Sequence, residues 1–159
     1  MATLTTARRS DQRGQAIIEL ALTLPLLLVV IFGIIDFGFM SMRYEAVTNA
    51  AREGARLGVL TDYTAAEAQN RAIDYLRASG INGTQRGSCG GTFVRNSVCA
   101  QMTTSTVPVT GATPPRTVNQ VTVIVEYDHE YSFVGPIMDL FGSGLGTVRV
   151  RAASSMRHE

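Results

Sequence analysis

Residues 15–35, QAIIELALTLPLLLVVIFGII, are apolar except for Gln15, Glu19 and Thr23. A helix of this length rises about 1.5 Å per residue and reaches about 31 Å, close to the ~30 Å hydrocarbon thickness of a bilayer. The run is longer than the apolar core of a secretory signal, and it continues into DFGFMSM without a small-residue cleavage triplet. The sequence therefore predicts a retained, single-pass transmembrane helix.

The charges that flank the apolar run predict its orientation. Residues 1–14 contain three arginines and one aspartate, whereas the first three charges beyond the run sum to −1 (Asp36, Arg43 and Glu45). The positive-inside bias then places the N-terminus in the cytoplasm and the C-terminal part outside. Aromatic side chains fit a belt at the outer interface: Phe32, Phe37, Phe39 and Tyr44.

The chain of 159 residues has room for one modest domain beyond this helix. We predict a cytoplasmic basic leader (1–14), a transmembrane helix (15–36), an exported extension of the same helix (37–60) and an extracytoplasmic domain (61–159). The expected fold class is α+β, in which the long helix and a second helix lead into a small antiparallel sheet.

Small side chains form one face of the predicted helical extension, at i, i+3, i+4, i+7, i+8 and i+11. The face consists of Val47, Ala50, Ala51, Gly54, Ala55 and Gly58. Glycine in a helix costs roughly 1 kcal/mol relative to alanine, so two glycines on one face indicate close approach to another element. That element is either the chain's own domain or a neighbouring subunit.

The remaining elements follow from local patterns. Thr64 and Glu67 form a capping-box pattern, and a second helix with an apolar face should end at Gly80. Residues 80–116 are rich in Gly, Thr, Ser and Pro and predict only short strands, whereas residues 117–131 and 147–154 alternate like longer strands. Apolar residues of the intervening segment are expected to cover apolar surface: Phe133, Ile137, Leu140 and Phe141.

The two cysteines, Cys89 and Cys99, lie in the part predicted to be exported. In an oxidising compartment they would form a local disulfide, and free thiols are the alternative.

Glu19 is a carboxylate in the predicted span, where a charge costs about 2.5–3.5 kcal/mol at mid-membrane and less near the edge. Such residues usually mark function. If the chain were cut after Gly14, the ammonium of Gln15 would lie about one helical turn before Glu19. The ammonium of one subunit could then pair with Glu19 of the next, so that each charge neutralises the other. Alternatively, Glu19 only marks the helix start at the headgroups.

The N-terminal pattern resembles the class III signal of type IV pilins and pseudopilins. It consists of a short basic leader, Gly14, four further residues and then Glu19. GQAIIELALTLPLLLVVIFGIIDFG, followed by AAREGARLGV, is similar to the TadE-like family of the tight-adherence (Tad/Flp) pilus system. The resemblance implies a minor pilin-like subunit in the bacterial inner membrane. It assigns Gly14 and Gln15 to processing by prepilin peptidase and Glu19 to assembly. The implied partners are other pilin-like subunits, Tad inner-membrane platform proteins and membrane lipid. Leu20 departs from the aromatic residue frequent there in pseudopilins.

The sequence contains neither a nucleophile–base–acid set nor a nucleotide-binding fingerprint, so we expect no enzymatic activity and no cofactor. His129 has acidic neighbours, but on a strand they point to the opposite face, so no metal site is expected. The net charge of +1 gives no support to nucleic-acid binding.

The alternative to a pilin-like subunit is an unprocessed, membrane-anchored binding or adhesion module.

Overall fold

The computed structural model of the chain describes residues 7–111, 114, 116–140, 142 and 146–158. The predicted leader lies partly outside this range, because its first six residues are not described. The described residues form three helices: α1 (Ala7–Gly58), α2 (Ala65–Ala78) and the short α3 (Gly135–Asp139). The sheet consists of β1 (Thr84–Gln85), β2 (Ser97–Pro108), β3 (Thr117–Glu130) and β4 (Thr147–His158). The predicted α+β class is confirmed.

The long helix α1 has two halves with different surroundings. From Gly14 to Ile31 every side chain is exposed, and this part is apolar and long enough to be a candidate membrane span. From Val47 onward one face is fully buried against the rest of the protein. The helix continues without a break through Pro25 and through the boundary between the two halves.

The sheet has the order β1-β2-β3-β4. The three long strands are antiparallel neighbours, and the two-residue β1 pairs in parallel with the start of β2. The sheet is therefore mixed, although its main part is antiparallel as expected.

One face of the sheet packs against α1 and α2 and forms the hydrophobic core. Alternate β3 residues point into it, as the sequence pattern predicted: Val121, Val123, Val125 and Tyr127. The buried face of α2 packs against α1 and β2 in the same core and consists of Ala68, Ala72, Ile73 and Leu76. The predicted capping box of α2 is also confirmed, because Thr64 and Glu67 exchange hydrogen bonds in both directions.

The small-residue face of α1 lies in this core and packs against the chain's own domain. A Cβ atom on Gly54 would lie 3.0 Å from the Ala68 carbonyl oxygen and 3.1 Å from Val123 Cγ1. A Cβ atom on Gly58 would lie 3.1 Å from Val121 Cγ1. Glycine at these two positions therefore permits α1 to approach both α2 and the sheet closely. This close packing explains why glycine is present despite its cost in a helix. Ala50, Ala51 and Ala55 are completely buried on the same face.

The prediction of only short strands within residues 80–116 was wrong. β2 runs from Ser97 to Pro108 and pairs with β3 along its whole length, from Ser97–Asp128 to Pro108–Thr117. Its stretch MTTSTV is rich in β-branched residues, which favour extended structure. Gly and Pro lie before the strand and from its last residue, Pro108, onward. β4 also extends beyond the predicted residue 154, to His158.

Candidate functional site

Asp36 joins α1 to the segment that connects β3 and β4. Its side chain is 2% exposed, and its two carboxylate oxygens accept hydrogen bonds from three successive backbone N–H groups. Ser132 N lies 3.2 Å from Oδ1, while Phe133 N and Val134 N lie 2.9 Å and 2.7 Å from Oδ2. Hydrogen bonds to an ionised acceptor are roughly twice as strong as neutral ones. Asp36 therefore fixes the position of this segment against the end of the candidate membrane span.

Side chains on both sides of Asp36 extend the same junction. The rings of Phe32 and Phe133 stack with centroids 5.3 Å apart and an interplanar angle of 12°. The Tyr131 hydroxyl donates to the Met40 sulfur at 3.2 Å. One helical turn further, Arg43 donates to the Tyr127 hydroxyl at 2.9 Å. The junction therefore spans about three turns of α1.

Replacing Asp36 with alanine is expected to loosen the junction. Three backbone N–H groups would lose their acceptor, and an unsatisfied buried donor costs about 1–3 kcal/mol. Hydrogen exchange measured by mass spectrometry should show faster exchange at Ser132, Phe133 and Val134 than in the wild type. Glu45→Ala, at an exposed carboxylate of the same helix, is the control and should leave these amides unchanged. Equal exchange in the Asp36 and Glu45 variants would contradict the assignment.

His129 is buried between two tyrosine rings on the helix side of the sheet. Its ring centroid lies 5.8 Å from that of Tyr127 and 5.5 Å from that of Tyr131. Neither ring nitrogen has a hydrogen-bond partner within the described residues. Burial lowers the pKa of His129 below its ordinary 6.5, and the charge of Arg43 lowers this pKa further, while Asp36 opposes the shift. His129 is therefore neutral in the folded protein at neutral pH.

This burial makes the stability of the domain depend on pH. The unfolded chain binds a proton at His129 near its ordinary pKa of 6.5, whereas the folded protein resists protonation to lower pH. The free energy of unfolding therefore has its full value above about pH 6.5. It decreases as the pH falls from there towards the lower pKa of the folded protein. Comparing thermal midpoints at about pH 7.5 and about pH 5, we expect a smaller decrease for His129→Phe than for the wild type. Equal decreases would contradict the prediction.

The other face of the sheet carries a buried charge cluster that consists of Glu126, Asp128, Arg86 and Arg149. Asp128 accepts from Arg149 Nε at 2.6 Å and Nη2 at 2.9 Å, and from the Val94 N–H at 2.9 Å. Glu126 accepts from the Gly90 N–H at 2.8 Å and from Arg86 at 3.3 Å. Burial raises the pKa of Asp128, but the hydrogen bonds from Arg149 and Val94 and the nearby positive charges outweigh it and lower this pKa.

The loop that covers this cluster is tied to β2 by a disulfide between Cys89 and Cys99. The bond uses both thiols, so they are not available as metal ligands beside Glu126 in this state. The guanidinium of Arg149 also lies over the Phe93 ring of the loop, 5.9 Å from its centroid. The cluster and the disulfide together hold the 86–96 loop on the sheet, and these residues have a structural role.

The residues predicted to act in processing and assembly lie on the exposed part of α1. A Cβ atom on Gly14 would meet nothing within 4 Å, and Gln15 and Glu19 are both exposed. Within the described residues no side chain pairs with the Glu19 carboxylate; its backbone carbonyl accepts from Thr23 at 2.9 Å. Because Gln15 and Glu19 are four residues apart on a helix, they share one face.

The sequence does not single out Asp36, which there is only one of the charges that flank the apolar run. Its partners are backbone N–H groups 96 to 98 residues away in sequence, which no side-chain pattern records. Glu126 and Asp128 were also missed, because alternation along β3 predicts solvent on that face. The register between β3 and β4 is needed to recognise them, because it places Arg151 directly opposite Glu126 and Arg149 directly opposite Asp128.

The comparisons with known proteins concern α1. The family model described as TadE-like protein matches residues 14–56, which include the exposed apolar half of α1 and most of its buried half. No curated protein and no solved structure matches the chain. The resemblance predicted from the sequence is thereby confirmed over this segment, which makes up most of α1.

Proposed function

We propose that the chain is a minor pilin-like (pseudopilin) subunit of a Tad-type pilus assembly apparatus, and that it assembles through the first half of α1. The observation that carries this proposal is the exposed, apolar half-helix with one carboxylate, Glu19, inside a segment that matches the TadE-like family. The expected location is the bacterial inner membrane, with a single span, the N-terminus in the cytoplasm and the domain outside.

Prepilin peptidase would cut between Gly14 and Gln15. The new ammonium of Gln15 would then lie about 6 Å along the helix axis from Glu19 of the same chain. In a bundle of such helices, Glu19 can pair instead with the ammonium of a neighbouring pilin-like subunit. Each charge is costly in lipid when alone, so pairing favours association and specifies the register between helices.

The packing of α1 restricts which of its residues can contact other subunits. Ala50, Ala51, Gly54, Ala55 and Gly58 were candidates for intersubunit contact, but they pack against α2 and the sheet of their own chain. The exposed residues between Gln15 and Ile31 remain free for partners. We therefore expect the contacts of α1 with other subunits, including platform proteins, to involve these residues within the proposed span.

The alternative function is an unprocessed, membrane-anchored binding or adhesion module. The observation that favours it is the outer edge of β2. β1 pairs only with Ser97 and Val98, so within the described residues the later part of β2 has a strand on one side only. Such an edge can bind an extended peptide by strand addition.

The two functions predict different mature proteins. In cells that contain prepilin peptidase, intact-mass spectrometry should find a chain that begins at Gln15 if the subunit is processed. An intact leader in those cells would contradict processing. Substitutions in the 81–116 region that abolish function, with Glu19→Ala having no effect, would favour the adhesion module.

A further inference from the structure

We infer that residues 132–140, the segment between β3 and α3 together with α3, lie in the outer interface of the membrane and contact lipid directly. We call these residues the membrane-contact segment. The inference rests on the proposed membrane span of α1, and it adds a second place at which the protein meets the bilayer.

The depth of the segment follows from its contact with α1. Phe32 lies three residues before Ile35, the last residue of the apolar run, so it lies about 4–5 Å inside the end of the span. Phe133 stacks directly on Phe32 with ring centroids 5.3 Å apart. A bilayer that surrounds α1 up to Ile35 must therefore reach Phe133. This depth agrees with the ~5–10 Å to which interfacial segments enter the boundary of headgroups and acyl chains.

The segment exposes three large apolar side chains, which lipid favours and water does not. Phe133 is 45% exposed, Ile137 40% and Leu140 83%. The prediction that these residues cover apolar surface of the protein therefore fails for Leu140, while Phe141 lies outside the described residues. A shallow groove of about 220 Å³ between the segment and α1 is lined by Gly33, Asp36, Phe37, Tyr131, Val134 and Met138.

Backbone N–H groups of the segment have acceptors within the protein, as a location near lipid requires. Asp36 accepts from the N–H groups of Ser132, Phe133 and Val134. The N–H groups of Ile137 and Met138 donate to the Val134 carbonyl, and that of Leu140 donates to the Ile137 carbonyl. Pro136 has no N–H group. Backbone near hydrocarbon must satisfy its polar groups internally, and these six N–H groups find acceptors within the protein although the segment forms no long helix.

The acidic groups near the segment are either buried or paired. Asp36 is 2% exposed and enclosed by its three amide donors. Asp139, the charged residue of the segment, accepts from Arg95 at 3.1 Å. A charged side chain at this depth costs less than at mid-membrane, and pairing lowers the cost further. Lipid contact would thus hold the domain at a fixed tilt against the membrane surface.

The test uses tryptophan fluorescence, because the natural chain contains no tryptophan. Leu140→Trp reports on the segment. Leu22→Trp, at a side chain that is 73% exposed on α1, reports on the span. Thr106→Trp, at an exposed position near the far end of β2, is the aqueous control. Each full-length variant is reconstituted into phosphatidylcholine vesicles whose acyl chains are brominated near the headgroup, with unbrominated vesicles as the reference.

We expect bromine to quench the fluorescence at Leu140→Trp and at Leu22→Trp, and to leave Thr106→Trp unchanged. Quenching at Leu140→Trp should persist when the protein-to-lipid ratio is lowered, since the partner is lipid and not a second copy. Quenching at Leu22→Trp with none at Leu140→Trp would overturn the inference while the membrane span stands. Absence of quenching at Leu22→Trp would overturn the span and the inference with it.

Discussion

Cells in which Glu19 is replaced by glutamine are expected to lose pilus assembly, although the variant protein still inserts in the membrane. Glutamine keeps the size and polarity of the side chain and removes only its charge. The ammonium of the neighbouring subunit would then remain unpaired in lipid. Removal of one partner of a buried ion pair costs about 3–5 kcal/mol, which is enough to prevent an ordered contact. The exposed half of α1 has no other acidic residue, so this part of the helix offers no substitute partner.

The measurement compares pili by electron microscopy with the amount of the variant in the membrane fraction. Glu45→Gln is the matched control, because Glu45 is an exposed carboxylate on the same helix but beyond the apolar run. It should assemble like the wild type. Normal fibres from the Glu19→Gln variant would contradict the pairing, and loss of the protein from the membrane would show that Glu19 acts in insertion instead.

The second large effect is expected from Asp128→Ala. The Asp128 side chain is 0% exposed and binds both the Nε and the Nη2 atoms of Arg149, as well as the Val94 N–H group. Its removal leaves a partly buried guanidinium and an amide without their acceptor. We expect the free energy of unfolding to fall by about 3–5 kcal/mol. Domains of this kind are stable by only about 5–15 kcal/mol, so the variant would lose much of its stability.

Urea unfolding of the detergent-solubilised, full-length protein, followed by circular dichroism, measures this loss. Asp74→Ala is the control, since Asp74 forms an ion pair with Arg77 in which both side chains are more than half exposed. Exposed pairs contribute little, so its loss should stay within about 1 kcal/mol. A similar small loss for Asp128→Ala would show that the charge cluster does not hold the 86–96 loop on the sheet.

The periodic spacing of side chains within single helices and strands predicted most of the fold. The apolar run specified α1, Thr64 and Glu67 specified the start of α2, and alternation from Val121 to Tyr127 specified β3. In each case the predictive pattern lies within the element or at its end, because the side-chain directions of helices and strands recur every few residues. The extent of β2 was missed because polar threonines and nearby glycines resemble a loop until a partner strand is aligned with them.

The sequence by itself determined the apolar helix, its single carboxylate and the resemblance of this segment to the TadE-like family, since length, composition and spacing are properties of a continuous segment. Only the tertiary structure decided that the small-residue face belongs to the chain's own core, that Asp36 binds backbone amides almost a hundred residues away, and that Phe133 lies beside Phe32. These contacts depend on how distant segments approach each other in space. Sequence spacing does not record that approach, because many different separations along the chain are compatible with the same local pattern.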